Sequence, residues 1–226
     1  MTYKDREEAG RALAAEIRVP KGGMAVFALP RGGVAVAYQV ASALEVPLDT
    51  IPVRKLSAPA NRELAFGAVA PEGIEIKDEE KMLDLGITAA EAEEMAARER
   101  VELDKEMAHY RSGRFAEDAN FDTALIVDDG AATGMSAEAA LKAARVLYAS
   151  ARLVFAVPVC STEARERIEK VADEVICGMV PPYFLAVGEW YDKFAEFSDD
   201  EVLYLLHTLH DERVFQTRIS EAGSAS

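Results

Sequence analysis

The chain has 226 residues, half of them hydrophobic, enough for a sizeable buried core and one domain with an appendage. Its 40 acidic against 25 basic residues leave a net charge of −15, which argues against a nucleic-acid surface and for a local positive site on an acidic body. No apolar run reaches membrane-spanning length and the first fifteen residues are charged, so a globular protein of the cytoplasm is expected, with no membrane partner.

Asp5–Arg18 reads as an amphipathic helix and Met24–Leu29 (MAVFAL) as a buried strand. The strand ends in Pro30–Arg31–Gly32–Gly33, and Val34–Leu44 continues as a helix, so a cation and two permissive glycines stand at a strand–helix junction. Leu48–Val53 is the next strand. Pro59 and Asn61 predict that Leu56–Glu63, after Arg54 and Lys55, is an irregular loop before a strand at Leu64–Ala70. Glu72–Glu80 reads as an acidic turn. Thr88–Arg111 reads as one long charged helix with Met95, Leu103, Met107 and Tyr110 on a single stripe, a packing face for the domain or another subunit.

The informative stretch is Ala124–Ser136, ALIVDDGAATGMS. Ala124–Val127 is apolar without alternation, as a strand buried on both faces of a parallel sheet would be. Asp128–Asp129 end it; Gly130, Ala131, Ala132, Thr133, Gly134, Met135 and Ser136 form a small-residue turn, and Glu138–Tyr148 is a helix. Such a turn aims backbone N–H groups and a positive helix end at one point, a cradle for phosphate. The adjacent carboxylates can accept hydrogen bonds from a vicinal diol, so the pair of features describes a ribose 5-phosphate. A Walker loop is excluded because Met135 stands where its Lys belongs, and a nucleophile elbow because Glu138 replaces its second Gly.

Ala151–Val159 is a further buried strand, Thr162–Lys170 a helix and Glu174–Gly178 a short strand, while Cys160 and Cys177 read as core or near-core thiols. Pro181–Phe197 then concentrates Tyr183, Phe184, Trp190, Tyr191, Phe194 and Phe197, suited either to stacking on a flat ligand or to filling a small lid. Asp199–Leu209 closes the chain as a helix in which His207 and His210 lack further ligands for a metal, and the tail 216–226 is expected to be flexible.

LIVDDGAATGMS resembles the 5-phosphoribosyl 1-pyrophosphate (PRPP) signature of type I phosphoribosyltransferases in order and spacing. With PRGG, VRKLSAP and the aromatic segment, residues 20–200 look most like the predicted bacterial and archaeal phosphoribosyltransferases of unassigned acceptor. The resemblance implies an α/β fold, a doubly wound parallel sheet of about five strands with a small hood. Residues 1–215 would form one domain, the hood mainly 179–197 and a helical insertion about 78–112. It implies Mg²⁺-dependent transfer of the phosphoribosyl group from PRPP to an unidentified nitrogenous small molecule, within nucleotide salvage, by a homo-oligomer, most simply a dimer. A PRPP sensor of the same fold is the alternative.

By the same resemblance Asp128 and Asp129 hold the ribose hydroxyls and, through them or through water, the metal, with Asp192 as a further metal candidate. Gly130–Ser136 hold the 5-phosphate. Arg31, Gly32 and Gly33 take the place of a pyrophosphate loop that often carries a cis peptide, at Arg31–Gly32; Lys55, with Arg62 and Arg54, belongs to a mobile loop that reaches the pyrophosphate. Leu185–Gly188 and Asp192 resemble the hood of hypoxanthine-guanine enzymes, which makes Phe184, Leu185, Trp190 and Tyr191 the acceptor pocket. Ala132 replaces the Asp those enzymes use at the base, and Cys160–Ser161 stand where their Lys follows the strand, so a 6-oxopurine acceptor is not implied.

Overall fold

A computed structural model describes residues 2–18, 23–59, 61–110 and 121–224, with side chains throughout except at 62–63 and 212–224. Helix α1 (Arg6–Glu16) is capped by Asp5, whose carboxylate accepts the Glu8 N–H, and it packs on α2 (Gly32–Leu44). Five parallel strands form the central sheet in the order β2 (Leu48–Thr50), β1 (Met24–Ala28), β6 (Thr123–Val127), β7 (Arg152–Val159), β8 (Glu174–Met179). Val26 pairs with Leu48 on one side and Leu125 on the other, and Leu125 in turn with Val154. Every residue of β1 and β6 is buried, which is why their sequences are unbroken apolar runs without alternation. On one face α1, α2 and α7 (Asp199–Ser224) bury Leu13, Val36, Val40, Val202 and Leu206 against the sheet; on the other α5 (Met135–Leu147) and α6 (Thr162–Ile168) bury Leu141 and Ile168 against Phe27 and Phe155. The expected doubly wound α/β sheet is present.

A second, three-stranded antiparallel sheet lies outside it: β3 (Arg54–Ala58), β4 (Asn61–Ala70) and β5 (Ile74–Lys77). This corrects the expected irregular loop over 56–63. Pro59 sits at the hairpin turn, and the irregularity is confined to register shifts between Leu56 and Ser57 and between Ser57 and Ala58. The acidic stretch at Glu72–Glu80 is not merely a turn either. Glu72 and Gly73 take positive φ and reverse the chain, β5 follows, and Asp78 caps α3 (Glu79–Asp84) through the Lys81 N–H.

Helix α4 (Ala89–Tyr110) packs on this small sheet within its own chain. Its buried face is Ala92, Ala96, Leu103 and Tyr110, so Met95 and Met107 of the expected stripe flank the contact. The two alanines allow a close approach to Leu56, Phe66 and Val69. Thr88 and Glu91 exchange hydrogen bonds as a capping box, and the Tyr110 hydroxyl donates to Asp199 Oδ1 at 2.7 Å, tying α4 to the start of α7. The closing helix extends beyond Leu209 to Ser224 and takes in most of 216–226. Among the described residues no helix is long and apolar enough to cross a membrane.

Candidate functional site

Because β1 and β6 are neighbours in register, the two strand–helix junctions read from the sequence lie side by side at one edge of the sheet. At the second junction Asp128 Oδ1 accepts the Asp129 N–H at 2.8 Å. Burial, and after it the charge of Asp129, push the Asp128 carboxyl well above the usual carboxylate range, while the Lys55 ammonium opposes them. Asp129 Oδ2 accepts from Arg6 Nε at 2.7 Å, a pair with both side chains largely buried.

The loop after the acids is pinned to the end of β7. The Ala131 N–H donates to Val159 O, the Ser161 N–H to Ala131 O, and Ser161 Oγ to Ala132 O. Gly134 takes φ 73° as the N-cap of α5, and a Cβ there would stand 3.0 Å from Ala164 Cα and O, so Gly is required both by conformation and by space. Helix α5 therefore starts at Met135, earlier than expected. The Met135 side chain is buried in the core, which leaves its backbone to face the loop, whereas Thr133 and Ser136 are partly exposed. The N–H groups of the first turn of α5 have no intrahelical acceptors and could receive an anion.

At the first junction the peptide between Pro30 and Arg31 is cis, one residue earlier than the resemblance placed it. Arg31 is the N-cap of α2, exposed, and lines a 450 Å³ cavity with Arg54, Glu106 and Asp199. Gly32 and Gly33 lie against the acids of the other junction: a Cβ on Gly32 would overlap Asp129 Oδ2, and one on Gly33 would stand 2.9 Å from Asp128 Oδ1. Lys55, on β3, is exposed and lines a 610 Å³ cavity with Met95, Arg98 and Glu99. Arg54 is engaged by Glu99 at 2.9 Å and Glu106 at 3.4 Å, so it holds α4 to the hairpin. The Arg62 side chain lies outside the described residues.

In the aromatic segment Phe184 and Trp190 stack with centroids 6.1 Å apart, and Trp190 Nε1 is buried with no hydrogen-bond partner among the described residues. Leu185 is exposed. Tyr191 is buried, and its hydroxyl donates to Asp129 O at 2.5 Å. Burial foremost, then the charge of Asp129, drive the Tyr191 phenol far above its ordinary value, so it stays a donor. Gly130 closes this contact from the loop side, since a Cβ there would overlap Val187 in the short 3₁₀ turn Val187–Trp190. Asp192 is exposed and accepts from Thr2 Oγ1 at 2.9 Å. Among the described residues no three His, Cys, Asp or Glu side chains converge as a metal cage. Two hard carboxylates beside a phosphate cradle fit Mg²⁺ instead, which takes one or two carboxylates and completes its shell with substrate oxygens and water.

The sequence reading missed Arg6. Its signal was present: a cation in the first turn of a helix opposes the helix dipole and is retained there against that cost.

A parallel sheet whose adjacent strand ends carry an open helix N-terminus, an acid pair and a cationic glycine turn defines an α/β protein with its candidate site at the carboxyl edge. Residues 2–184 match the phosphoribosyl transferase domain model, and the chain belongs to that family. A Mycobacterium tuberculosis protein named "Putative phosphoribosyl transferase", in the CDC 1551 and H37Rv strains, is 38% identical over 209 residues, covering 92% of this chain and 47% of that protein. The chain thus spans about half the length of these curated relatives. The crystal structure of TT1426 from Thermus thermophilus is 40% identical, covers 91% of this chain and 98% of its own, and superposes with a TM-score of 0.69.

Proposed function

We propose that the chain, with residues 1–215 acting as one domain, transfers the 5-phosphoribosyl group of PRPP to a nitrogenous heterocycle and releases pyrophosphate. The observation that carries this reading is the contact of Gly32 and Gly33 with Asp129 and Asp128: the cationic turn and the acid pair form one continuous surface beside the α5 cradle. The bond from C1 of the ribose to the pyrophosphate oxygen breaks, the bond from C1 to the acceptor nitrogen forms, and the acceptor's surplus proton leaves to solvent. The α5 cradle fixes the 5-phosphate. Asp128 and Asp129 orient the ribose hydroxyls and oppose the positive charge that develops at C1. Arg31, the N-terminal N–H groups of α2 and Lys55 receive the departing pyrophosphate, with Arg62 and Arg54 as further candidates on the hairpin. Mg²⁺, held by Asp128 and Asp129, with Asp192 as a further candidate, and by substrate oxygens, would neutralise pyrophosphate charge.

The acceptor pocket in this reading is the Phe184–Trp190 stack with Leu185 and Tyr191, and the unpartnered Trp190 Nε1 supports it as a donor awaiting a polar atom of a flat ligand. A part in nucleotide salvage, a cytoplasmic setting and a homodimer belong to the same proposal. The test is calorimetric titration of PRPP with Mg²⁺ into wild type and the Asp128→Asn/Asp129→Asn double variant, followed by a pyrophosphate-release screen over nucleobases. Binding lost in the variant, with release supported by one base, is the expected result. Binding without release would replace a transferase by a PRPP sensor, and no binding would overturn the reading.

A further inference from the structure

Arg6 opens α1 and lies 123 positions from Asp129 in the chain, yet its buried guanidinium joins three parts of the molecule. Nε donates to Asp129 Oδ2 at 2.7 Å and Nη1 to Ala195 O at 2.7 Å, and the guanidinium lies 3.9 Å from the centroid of the Phe194 ring. The main-chain oxygen of Asp129 is bonded a second time to the same segment, by the Tyr191 hydroxyl, and the Tyr191 and Phe194 rings pack 5.2 Å apart. Gly32 leaves room for the pair: a Cβ there would lie 3.0 Å from Arg6 Nε and Nη2. Asp129 is thus held at its carboxylate by Arg6, which is itself bonded to Ala195, and at its carbonyl by Tyr191.

Packing alone does not account for a cation here. A neutral side chain would fill the space without opposing the α1 dipole and without the cost of burying a charge, which only good geometry and further hydrogen bonds offset. The arrangement gives Asp129 a fixed direction and makes the hood segment a second partner of the same guanidinium. Resting on the PRPP reading above, we propose that Arg6 is a positioning residue that couples the ribose-binding carboxylate to the hood. Engagement of the ribose hydroxyls at Asp129 and seating of the hood over the acceptor become one event. The coupling is reciprocal: PRPP tightens the hood, and a ligand in the hood tightens PRPP.

The only tryptophan in the chain, Trp190, precedes Tyr191 and reports on the hood. PRPP with Mg²⁺ is titrated into wild type, Arg6→Gln and Arg6→Lys, following heat and Trp190 emission, with circular dichroism as the check on folding. Wild type is expected to bind with a change in emission. Arg6→Gln should bind about tenfold more weakly and lose the emission change. Arg6→Lys restores the charge but not the planar fork, and should recover most of the affinity and only part of the emission change. Phe194→Leu keeps the Arg6–Asp129 pair and removes the ring under the guanidinium; it should retain PRPP affinity with a diminished emission change, and it decides the matter if Arg6→Gln does not fold. A folded Arg6→Gln with wild-type affinity and emission, or an unchanged Phe194→Leu response, overturns the coupling alone. Failure of wild type to bind PRPP overturns the underlying reading and the coupling with it.

Discussion

The central sheet and the cap of β3–β5 with α4 are built on different physical terms. In the sheet β1 and β6 are wholly buried, Phe27 and Phe155 are fully enclosed, and the loop after the acid pair is pinned by three hydrogen bonds to the end of β7 and the start of α6. The cap has a smaller cluster of its own around Leu56, Phe66 and Leu103, laced by ion pairs of Arg54 with Glu99 and Glu106 and of Arg100 with Glu75 and Glu93; Ala68, Ala70 and Ile76 join it to the core of the sheet and α5, and Lys81 pairs with Glu163 of α6. Exposed ion pairs contribute only about 0–1 kcal/mol each and are screened by salt. The hairpin and α4 are thus held to one another partly by contacts that exchange easily with solvent, whereas the loop after the acid pair is held by backbone hydrogen bonds to a buried sheet.

The sharpest way to break this comparison is to open one cavity on each side of it. Phe155→Ala, in the core beneath the loop, is expected to lower global stability by about 3–5 kcal/mol and to lower hydrogen-exchange protection across all five parallel strands. Leu103→Ala, in the cap, should cost about 2–3 kcal/mol with lost protection confined to β3, β4 and α4. Denaturant titration with residue-resolved exchange checks both. Equal, global loss in the two variants would mean that cap and sheet form one cooperative unit.

Smaller in effect is the addition of one methyl group where the two junctions touch. Gly33→Ala puts a Cβ 3.0 Å from Asp128 Cα, backbone that cannot swing away, and 2.9 Å from its Oδ1. Overpacking of this kind costs about 1–3 kcal/mol. The expected outcome is a lowered melting temperature together with weakened PRPP binding, because the acid pair must shift. Unchanged binding at reduced stability would separate the turn from the ribose site.

How much of this was legible follows from how local each feature is. The two strand–turn–helix junctions were readable because strand, turn and helix are contiguous: MAVFALPRGG and ALIVDDGAATG each contain their own geometry. The β3–β4 hairpin was not, because Pro59 and Asn61 signal irregularity whether they make a loop or merely the end of a ladder, and Leu56 finds its burial only against α4. Strand β5 was obscured by Glu75 and Lys77, whose charges serve pairs with Arg100 and Glu93 that sequence proximity does not suggest. The α4 face was read in part: Leu103 and Tyr110 are buried and Met95 and Met107 pack beside the contact, while Ala92 and Ala96 carry it through smallness, which a search for large apolar residues passes over. The bond from Tyr191 to the Asp129 carbonyl joins residues 62 positions apart, and no local pattern in the sequence signals it.

The smallest effect is the pH dependence of the two regions, which distinguishes their edges. Asp173, at the sheet edge, is held below the ordinary 3.8 first by the Leu153 N–H and then by Arg145. Asp78, in the cap, feels burial raising it most strongly among single influences, but the Lys81 N–H and the Arg167 guanidinium together bring it below 3.8 as well. A carboxyl with a depressed folded value contributes stability above its unfolded value and loses it as pH falls through the folded one. Both contributions are therefore present above about pH 4 and are lost progressively as pH falls from there through the depressed folded values. Glu106, on α4, has the opposite sign. Burial is the leading cause that raises it above 4.5, so folding gains from its protonated form below that value, and the gain is lost as pH rises through the raised one. Acidification from pH 6 should accordingly relieve the cap at Glu106 before it weakens either edge. Denaturation curves of wild type, Asp78→Asn and Asp173→Asn at stepped pH are expected to show a shallower acid loss in each variant. An acid limb as steep in both variants as in wild type would place the acid-sensitive contacts elsewhere.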